Sequence, residues 1–433
     1  MQTSLQGIAQ KAKEQKKHRF QDLYRMLNEE FLLDCWRYIR KNAAYGVDKM
    51  SAKEYERDLE ENIRDLVERL KRKSYRAKLV KRKYIPKGDG DEMRPLGIPA
   101  IEDKLLQVGV KRIIEAIYEQ DFFRCSYGYR PNIGALDAVD KLTVKLQFGR
   151  YNFVVEADIK SFFDNVDHEW VIRMLEERID DQPFLRLIKK WLKAGILDTD
   201  GKVIHPATGT PQGGIVSSVL ANIYLHYVLD LWFQKVDKKC CRGEACLNRY
   251  ADDFVCAFQY QGEAERFYRA LSKRLGKFGL KLSAEKTRVI RFSRNHQPGK
   301  TSFDFLGFEF RWGKDRGGRP HLKRRTSRKR LRSSLKNITI WCKENRHLRL
   351  DVLFRKLNAK LRGYYNYYGV IGNYASLMQF FKEAQRILLK WLNRRSQRRS
   401  YNWRGFQELV ELFTIEQPRI VGRPKARRAA SKA

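Results

Sequence analysis

The chain has 433 residues and a large excess of positive charge, with 89 Lys+Arg against 51 Asp+Glu and a formal net charge of +38 at pH 7. A small soluble domain usually carries a net charge of magnitude about 2–8, so this excess indicates a polyanionic partner, most commonly nucleic acid. Because 42% of the residues are apolar and 12% aromatic, the composition argues against disorder as the main state. At about 150 residues per domain, the length predicts two or three domains.

Seven cysteines without a dense framework argue against a disulfide scaffold and favour a reducing compartment. No signal peptide is recognisable at the start of the chain. The twenty residues Gly214–Phe233 are mostly apolar, yet they include Asn222, His226 and Asp230. Polar groups of this kind are costly at the centre of a bilayer, so the segment is predicted to be a buried helix and no membrane partner is expected.

In chain order, apolar residues at helical spacing predict helices in the first part of the chain. One of them begins at Ser51, which forms a capping box with Glu54. A segment rich in Pro and Gly follows. Phe153–Asp158 is predicted to be a short buried strand, and Asp167 to begin a helix.

Further along, Asn248–Phe258 is predicted to form two short strands around a tight turn, and Phe303–Phe310 one more strand. In the last quarter, Leu353, Leu357 and Leu361 recur at helical spacing. The predicted fold class is therefore an α+β body followed by an all-helical basic domain.

The positive charge is concentrated near the C-terminus. Gly313–Ala433 carries 32 Lys+Arg and 7 Asp+Glu, or +25 of the total +38. Its Gly- and charge-rich start, Gly313–Pro320, is predicted to be a linker. The basic clusters are a candidate phosphate-binding surface, with a solvated helix face as the alternative. They comprise Lys323, Arg324, Arg325, Arg328, Lys329, Arg330, Arg394, Arg395, Arg398 and Arg399.

The most specific chemical signal is the pair Asp252 and Asp253, set between apolar residues. Adjacent carboxylates in apolar surroundings repel each other and lose hydration, and a divalent cation relieves both costs. A tight turn would let both side chains reach one site, with Asp158 at the end of its strand as the third carboxylate. Such a set suits two Mg²⁺ ions about 3.5–4 Å apart that promote phosphoryl transfer. For the Asp pair alone, an ordinary hairpin turn is the alternative.

The residues Tyr250-Ala251-Asp252-Asp253 resemble the catalytic motif of reverse transcriptases. The order of the motifs along the chain resembles that of bacterial group II intron-encoded reverse transcriptase/maturases. The resemblance covers nearly the whole chain. Its blocks follow in one order: Gly46-Val47-Asp48, Ile85-Pro86-Lys87, Arg94 to Pro99, Ser126 to Pro131, Asp158 to Asp164, Gly209 to Gly214, Tyr250 to Asp253, Gly279-Leu280 with Lys286-Thr287, and Phe305 to Phe308.

The resemblance implies a right-hand polymerase with fingers, a palm containing an antiparallel sheet, and an all-helical basic thumb that doubles as the maturase domain. We accordingly expect five parts. They are an N-terminal helical extension (1–75), fingers (76–150), a palm with interleaved fingers elements (151–312), a thumb/maturase or X domain (313–418) and a basic tail (419–433). No endonuclease domain is expected.

By the same resemblance, Asp158, Asp252 and Asp253 hold two Mg²⁺ ions, together with the backbone carbonyl of Ile159. Phe163 matches the aromatic gate that would exclude a 2′-hydroxyl. A core aromatic beside Phe162 is the alternative for this position.

Lys87 and Arg94 match the residues that neutralise the triphosphate of the incoming nucleotide. Their spacing differs by one residue from the family pattern. Gln212 and Gly213 match a loop that contacts the sugar and base, where glycine permits close backbone approach. Lys286 matches a residue that reaches the phosphates or the carboxylates.

The expected function is RNA-directed DNA polymerisation combined with binding of intron RNA as a maturase. The implied partners are intron RNA or another RNA template, a DNA primer or target, and dNTPs, in a bacterial cytoplasmic ribonucleoprotein or at the nucleoid. Diversity-generating, CRISPR-associated and phage-defence reverse transcriptases are alternatives with the same core. A non-polymerising RNA-binding splicing factor is an alternative of another class. The oligomeric state stays open.

Overall fold

The fold is mixed α+β, as predicted. The computed structural model describes residues 4–86, 93–210, 212–295, 301–395 and 400–421. The chain divides into two compact units, the first made of Met1–Leu142 with Gly149–Arg291 and the second of Thr143–Phe148 with Phe292–Ala433. Lys87, Arg398, Arg399 and most of the predicted tail lie outside the described residues. The finer division into fingers, palm and thumb stays a prediction.

The α-helices up to the end of the first unit are α1 (Leu5–Glu14), α2 (Glu29–Trp36), α3 (Ala52–Tyr55), α4 (Leu59–Lys71), α5 (Ile101–Tyr118), α6 (Ala135–Phe148), α7 (His168–Glu176), α8 (Gln182–Leu192), α9 (Ser217–Leu225) and α10 (Gln261–Gly276). The expected capping box of Ser51 and Glu54 is present at α3. Asp167 caps α7 by accepting a hydrogen bond from Trp170 N at 2.9 Å, so this predicted helix start is confirmed.

The strands of the first unit are β1 (Val80–Pro86), β2 (Met93–Ile98), β3 (Phe153–Asp158), β4 (Ile196–Leu197), β5 (Val203–Ile204), β6 (Ala245–Tyr250), β7 (Asp253–Phe258) and β8 (Arg288–Arg291). They form two four-stranded sheets, ordered β2-β1-β4-β5 and β6-β7-β3-β8. The second sheet is antiparallel throughout. Its central strands, β3 and β7, are largely buried, as continuous apolar runs predict.

The predicted helix over Gly214–Phe233 is buried, although its geometry changes along its length. It begins as α9 and continues in π-helical turns over His226–Asp230 and Phe233–Asp237. Every residue of α9 except Ser218 is buried. No helix among the described residues is both long enough and apolar enough to cross a membrane.

The second unit begins with a sheet of β9 (Ser302–Phe305), β10 (Phe308–Lys314) and β11 (Pro320–Thr326). The helices α11 (Arg328–Asn345), α12 (Leu350–Tyr368), α13 (Tyr374–Leu392) and α14 (Trp403–Leu412) follow. The prediction of one strand over Phe303–Phe310 is wrong in detail, because Leu306 and Gly307 both have positive φ and form a turn between β9 and β10.

The predicted linker over Gly313–Pro320 is also wrong. Gly313 and Lys314 end β10 and pair with His321 and Pro320 of β11. Only the residues between them form a turn, closed by the Asp315 carboxylate, which accepts hydrogen bonds from the backbone N–H groups of Gly317 and Arg319. Lys323, Arg324 and Arg325 therefore lie on a strand, not in an all-helical domain.

Candidate active site

Two of the predicted carboxylates meet where antiparallel strands β3 and β7 pair. Asp158 is the last residue of β3, Asp253 is the first of β7, and the two are direct partners in the register. Cβ atoms of such partners lie about 4.5–5.5 Å apart. The sheet thus brings together residues almost a hundred positions apart in sequence.

The third carboxylate, Asp252, lies in the turn of the β6–β7 hairpin. Tyr250 pairs with Asp253, which leaves Ala251 and Asp252 as a two-residue loop. Ala251 has φ of +56°, in the left-handed region that such tight hairpin turns require. The predicted tight turn is therefore confirmed.

The electrostatics of Asp252 favour a bound cation. Burial and the negative charge of Asp158 raise the pKa of Asp252, while the positive charges of Arg94 and Arg249 act in the opposite direction. An all-oxygen carboxylate set of this kind matches the ligand preference of Mg²⁺. The residues present therefore fit a divalent cation.

The carboxylates do not already form a closed metal cage. Among the described residues, no three His, Cys, Asp or Glu side chains are grouped closely enough to hold a metal ion. The ammonium of Lys286 instead contacts Asp158, with Nζ 2.9 Å from Oδ2. The backbone of Ile159 forms an isolated bridge with Leu282, four residues before Lys286.

An aromatic pair lies beside this carboxylate group. Phe163 belongs to a short 3-10 turn that follows Ser161, whose φ is +46°. Its ring centroid is 6.4 Å from that of Tyr129, and 5.3 Å from that of Phe162. Phe162 is buried in the core whereas Phe163 is only partly buried, so the two rings have different surroundings. Tyr129 was not selected from the sequence, although it lies within a matched block.

The loop of Gln212 and Gly213 contacts β2, the strand that carries Arg94. Arg94 is on β2, and its charge acts on both Asp252 and Tyr129. Gly97 N of this strand donates a hydrogen bond to Gln212 O at 2.6 Å. Gly213 has φ of +107°, and a Cβ there would lie 2.7 Å from Gly97 O, so this position requires glycine.

Sequence reasoning missed Arg249, which directly precedes the Tyr250–Asp253 motif. Its side chain is completely buried and forms an ion pair with Asp230, with Nη2 2.5 Å from Oδ2. The signal was present in the sequence, because Asp230 is the acidic residue of the mostly apolar segment Gly214–Phe233.

The basic residues of the second unit fall into several environments. Arg328, Lys329 and Arg330 form the exposed first turn of α11. Arg325 makes two hydrogen bonds to Glu309, both at 2.8 Å. Arg394 and Arg395 follow α13, where Arg395 donates to Leu348 O at 2.7 Å.

An open cavity of about 450 Å³ lies between β10, β11, α11 and α13 in this unit. Its lining includes four guanidinium groups and the start of α13. The arginines are Arg311, Arg325, Arg328 and Arg332. Such a surface suits phosphate groups, because arginine presents several donors in a planar fork.

Comparison with known families identifies the class of protein. The model of the reverse transcriptase (RNA-dependent DNA polymerase) family matches residues 85–310, more than half of the chain. The model of the group II intron maturase-specific domain matches residues 328–408. The chain belongs to the reverse transcriptase family, in its group II intron-encoded branch, a family that generally uses divalent metal ions.

Two individual proteins with similar sequences are informative beside these family models. Protein YkfC of Escherichia coli is 33% identical over 271 residues, covering 55% of this chain and 70% of that protein. The group II intron-encoded protein LtrA of Lactococcus lactis is 44% identical over 167 residues, or 39% of this chain. The match spans only 27% of the Lactococcus protein. A solved telomerase from Candida albicans aligns over 79% of this chain and 64% of that chain, at a TM-score of 0.43 and 16% identity.

Proposed function

We propose that this protein is an RNA-directed DNA polymerase that extends a DNA primer on an RNA template. The observation that carries the proposal is the in-register pairing of Asp158 with Asp253, beside Asp252 in the adjoining turn. Two carboxylates at paired strand ends and a third in the adjoining turn are the kind of donor set that phosphoryl transfer requires. Family membership supports the same chemistry.

Within this proposal, Asp158, Asp252, Asp253 and the carbonyl of Ile159 hold two Mg²⁺ ions. When bound, the ions would activate the primer 3′-hydroxyl and stabilise the leaving pyrophosphate. The raised pKa of Asp252 supports this assignment, since a cation would offset both its burial and the charge of Asp158. Lys286 would leave Asp158 when the cation binds.

The nucleotide pocket is proposed to combine Arg94, Phe163 and the loop of Gln212 and Gly213. Arg94 and Lys87 would neutralise the triphosphate, because phosphoryl transfer depends mainly on positioning and charge stabilisation. The partly buried ring of Phe163 would pack against C2′ of the sugar and exclude a 2′-hydroxyl. Gln212 and Gly213 would contact the sugar and base.

A maturase role is proposed for the second unit, which would bind intron RNA. Its four-arginine cavity and the exposed first turn of α11 support this role, as does the match to the maturase-specific domain. In the proposed division, residues 76–150 are fingers, 151–312 palm and 313–418 thumb. The protein would act in the bacterial cytoplasm on an RNA template, a DNA primer or target, and dNTPs.

Primer extension tests the polymerase proposal. The full-length protein is incubated with an RNA template, an annealed DNA primer, dNTPs and Mg²⁺, and cDNA is measured. We expect cDNA from wild type and none from Asp252→Ala. Asp200→Ala is the matched control, because Asp200 is an exposed aspartate in the β4–β5 loop. Absence of cDNA from wild type, or equal cDNA from Asp252→Ala, would reject polymerase activity and leave the splicing-factor alternative.

The maturase proposal has a separate test. Binding is measured to RNA transcribed from the DNA that flanks the gene, and to an unrelated structured RNA of equal length. We expect tighter binding to the flanking RNA. Equal affinities would contradict the specific maturase role while leaving the polymerase proposal intact.

A further inference from the structure

Arg249 is a fully enclosed charge beside the candidate active site. Its side chain is fully buried, and all five of its N–H donors have acceptors. The acceptors are Asp230 Oδ1 (from Nε, 2.8 Å), Asp230 Oδ2 (from Nη2, 2.5 Å), Ser126 Oγ (from Nη2, 2.7 Å), Asn222 Oδ1 (from Nη1, 3.1 Å) and Ala251 O (from Nη1, 3.0 Å). The guanidinium is therefore fixed in both position and orientation.

The bond to Ala251 reaches the turn that carries the aspartates. Ala251 is the left-handed residue of the two-residue loop, directly before Asp252. A non-glycine residue in this region carries backbone strain, and it persists where surrounding contacts hold it. The Arg249 guanidinium supplies such a contact through its hydrogen bond to Ala251 O.

The same hydrogen-bond network connects the segment containing Gly128 to the Ala251–Asp252 turn. Asn222 accepts from Arg249 through Oδ1 and donates through Nδ2 to Gly128 O at 2.6 Å. Gly128 lies so close to the aspartate turn that a Cβ there would be 2.3 Å from Ala251 N. Tyr129, the next residue, faces Phe163. One buried cation thus connects the carboxylate turn to the proposed nucleotide pocket.

The helix that supplies Asp230 departs from α-helical geometry at this point. Asp230 ends the π-helical turn His226–Asp230. The carbonyls of Tyr227 and Val228, in the same turn, accept hydrogen bonds from Arg274 at 3.0 Å. Single π-helical turns interrupt the regular α-helical hydrogen bonds and are frequent at functional sites. Here the turn places the Asp230 carboxylate within hydrogen-bond distance of Arg249.

Stability alone is a weak explanation for this arrangement. Replacing a buried ion pair by well-packed apolar residues is often neutral or stabilising, because desolvation offsets the attraction.

We propose that Arg249, together with Asp230 and Asn222, is a positioning group for the candidate active site. It holds the Asp252–Asp253 turn in the conformation that binds metal, and it fixes the position of this turn relative to Tyr129. This inference rests on the proposed polymerase function. Removing the network should weaken metal binding as well as slow turnover, because outer-shell partners of metal ligands typically contribute about 10–100-fold to metal affinity or activity.

The test compares Arg249→Lys, Asn222→Ala and Ser126→Ala with wild type. Arg178→Lys is the matched control, since Arg178 is also buried in the first unit but pairs with Asp121 at 3.0 Å. Mn²⁺ affinity is measured by electron paramagnetic resonance on the full-length protein without RNA or dNTP. The Mg²⁺ concentration for half-maximal cDNA synthesis, kcat and KM are measured separately, and thermal melts confirm folding.

We expect Arg249→Lys and Asn222→Ala to bind Mn²⁺ about 10-fold more weakly and to lose about 10–100-fold in kcat, with a smaller loss for Ser126→Ala. Arg178→Lys should lower only the melting temperature. Wild-type Mn²⁺ affinity and kcat in folded Asn222→Ala and Ser126→Ala would overturn the inference, even if Arg249→Lys failed to fold. If wild type bound Mn²⁺ but made no cDNA, the polymerase proposal would fail, and the Mn²⁺ affinities alone would decide the positioning role.

Discussion

Asp158 lies directly opposite Asp253 in the β3–β7 register. A one-residue slip would turn every side chain of one strand to the opposite face. Five consecutive residues of β7 and three of β3 are buried, so such a slip would force tightly packed core side chains into new positions. The apolar core of the sheet therefore fixes the relative position of the two carboxylates.

Substitution of Asp252 by asparagine should stabilise the metal-free protein while abolishing cDNA synthesis. Burial and Asp158 raise the pKa of Asp252, so its ionised form reduces stability above that pKa. Asp252→Asn removes this cost, and at pH 7.5 in EDTA we expect a higher melting temperature than wild type. Activity should fall more than about 10³-fold, because loss of one residue from a set of catalytic residues that act together typically has an effect of this size.

Added Mg²⁺ provides the control for this experiment. It should raise the melting temperature of wild type but not of Asp252→Asn, because a ligand that binds only the folded state stabilises it. A variant that melts below wild type in EDTA would contradict the electrostatic account.

Lys286→Ala should separate metal binding from turnover. Lys286 contacts Asp158 at 2.9 Å and therefore competes with a cation for that carboxylate. We expect the variant to need several-fold less Mg²⁺ for half-maximal activity, whereas kcat falls about 10-fold because a positive charge near the phosphates is lost. Lys277→Ala, an exposed lysine at the end of α10, should match wild type in both measurements. An increased Mg²⁺ requirement would show that Lys286 supports metal binding.

Gly128→Ala should impair catalysis through the backbone alone. The added Cβ would lie 2.3 Å from Ala251 N, so the turn before Asp252 must move. We expect kcat to fall about 100-fold, since small displacements of reacting groups have effects of this size, with RNA affinity unchanged. Gly262→Ala is the control, because no atom lies within 4 Å of its added Cβ. Equal kcat for Gly128→Ala and wild type would mean that the two turns can separate without cost.

Local signals sufficed to predict much of the candidate site. The apolar run before Asp158 predicted β3, and the apolar residues around Asp252 and Asp253 predicted a hairpin with a tight turn. Each of these features depends on neighbours within a few residues, which hydrophobic pattern and turn chemistry describe well.

The rest depends on contacts between residues far apart in sequence. Arg249 meets Asp230 and Asn222, 19 and 27 residues away, on a neighbouring helix. The polar residues of that helix argued against a membrane span, but periodicity could not show what they contact. The linker error over Gly313–Pro320 has the same origin. Its Gly-rich composition fits a hairpin turn as well as a linker, and only the pairing of β10 with β11 separates the two.

Asp103 predicts a pH dependence of stability. This buried residue of α5 accepts hydrogen bonds from Tyr75 Oη and from Lys78 N, and burial raises its pKa to about 6. The native state therefore binds a proton at higher pH than the unfolded chain does. The contribution of Asp103 to the free energy of unfolding accordingly increases as the pH falls through 6. Between pH 7.5 and 5, wild type should gain about 1.4 kcal/mol in unfolding free energy relative to Asp103→Asn, because pH 5 lies about one unit below the raised pKa.

Denaturant titrations of both proteins at several pH values measure this difference. Comparison with the asparagine variant cancels the contributions of the other titrating groups. A constant difference across the pH range would show that Asp103 stays ionised in the native state.

The arginine cavity of the second unit should govern the salt dependence of RNA binding. Arg328 and Arg332 are exposed and line the cavity, whereas Arg325 is bonded to Glu309. The variant Arg328→Gln with Arg332→Gln should weaken RNA binding about 10-fold and reduce the slope of log affinity against log salt by about 1.4–1.8, or 0.7–0.9 per phosphate contact. Arg349→Gln with Arg404→Gln removes the same charge from other exposed positions of this unit and should change the slope little. Equal slopes for the two double variants would mean that RNA responds to the overall charge of the unit and not to the cavity.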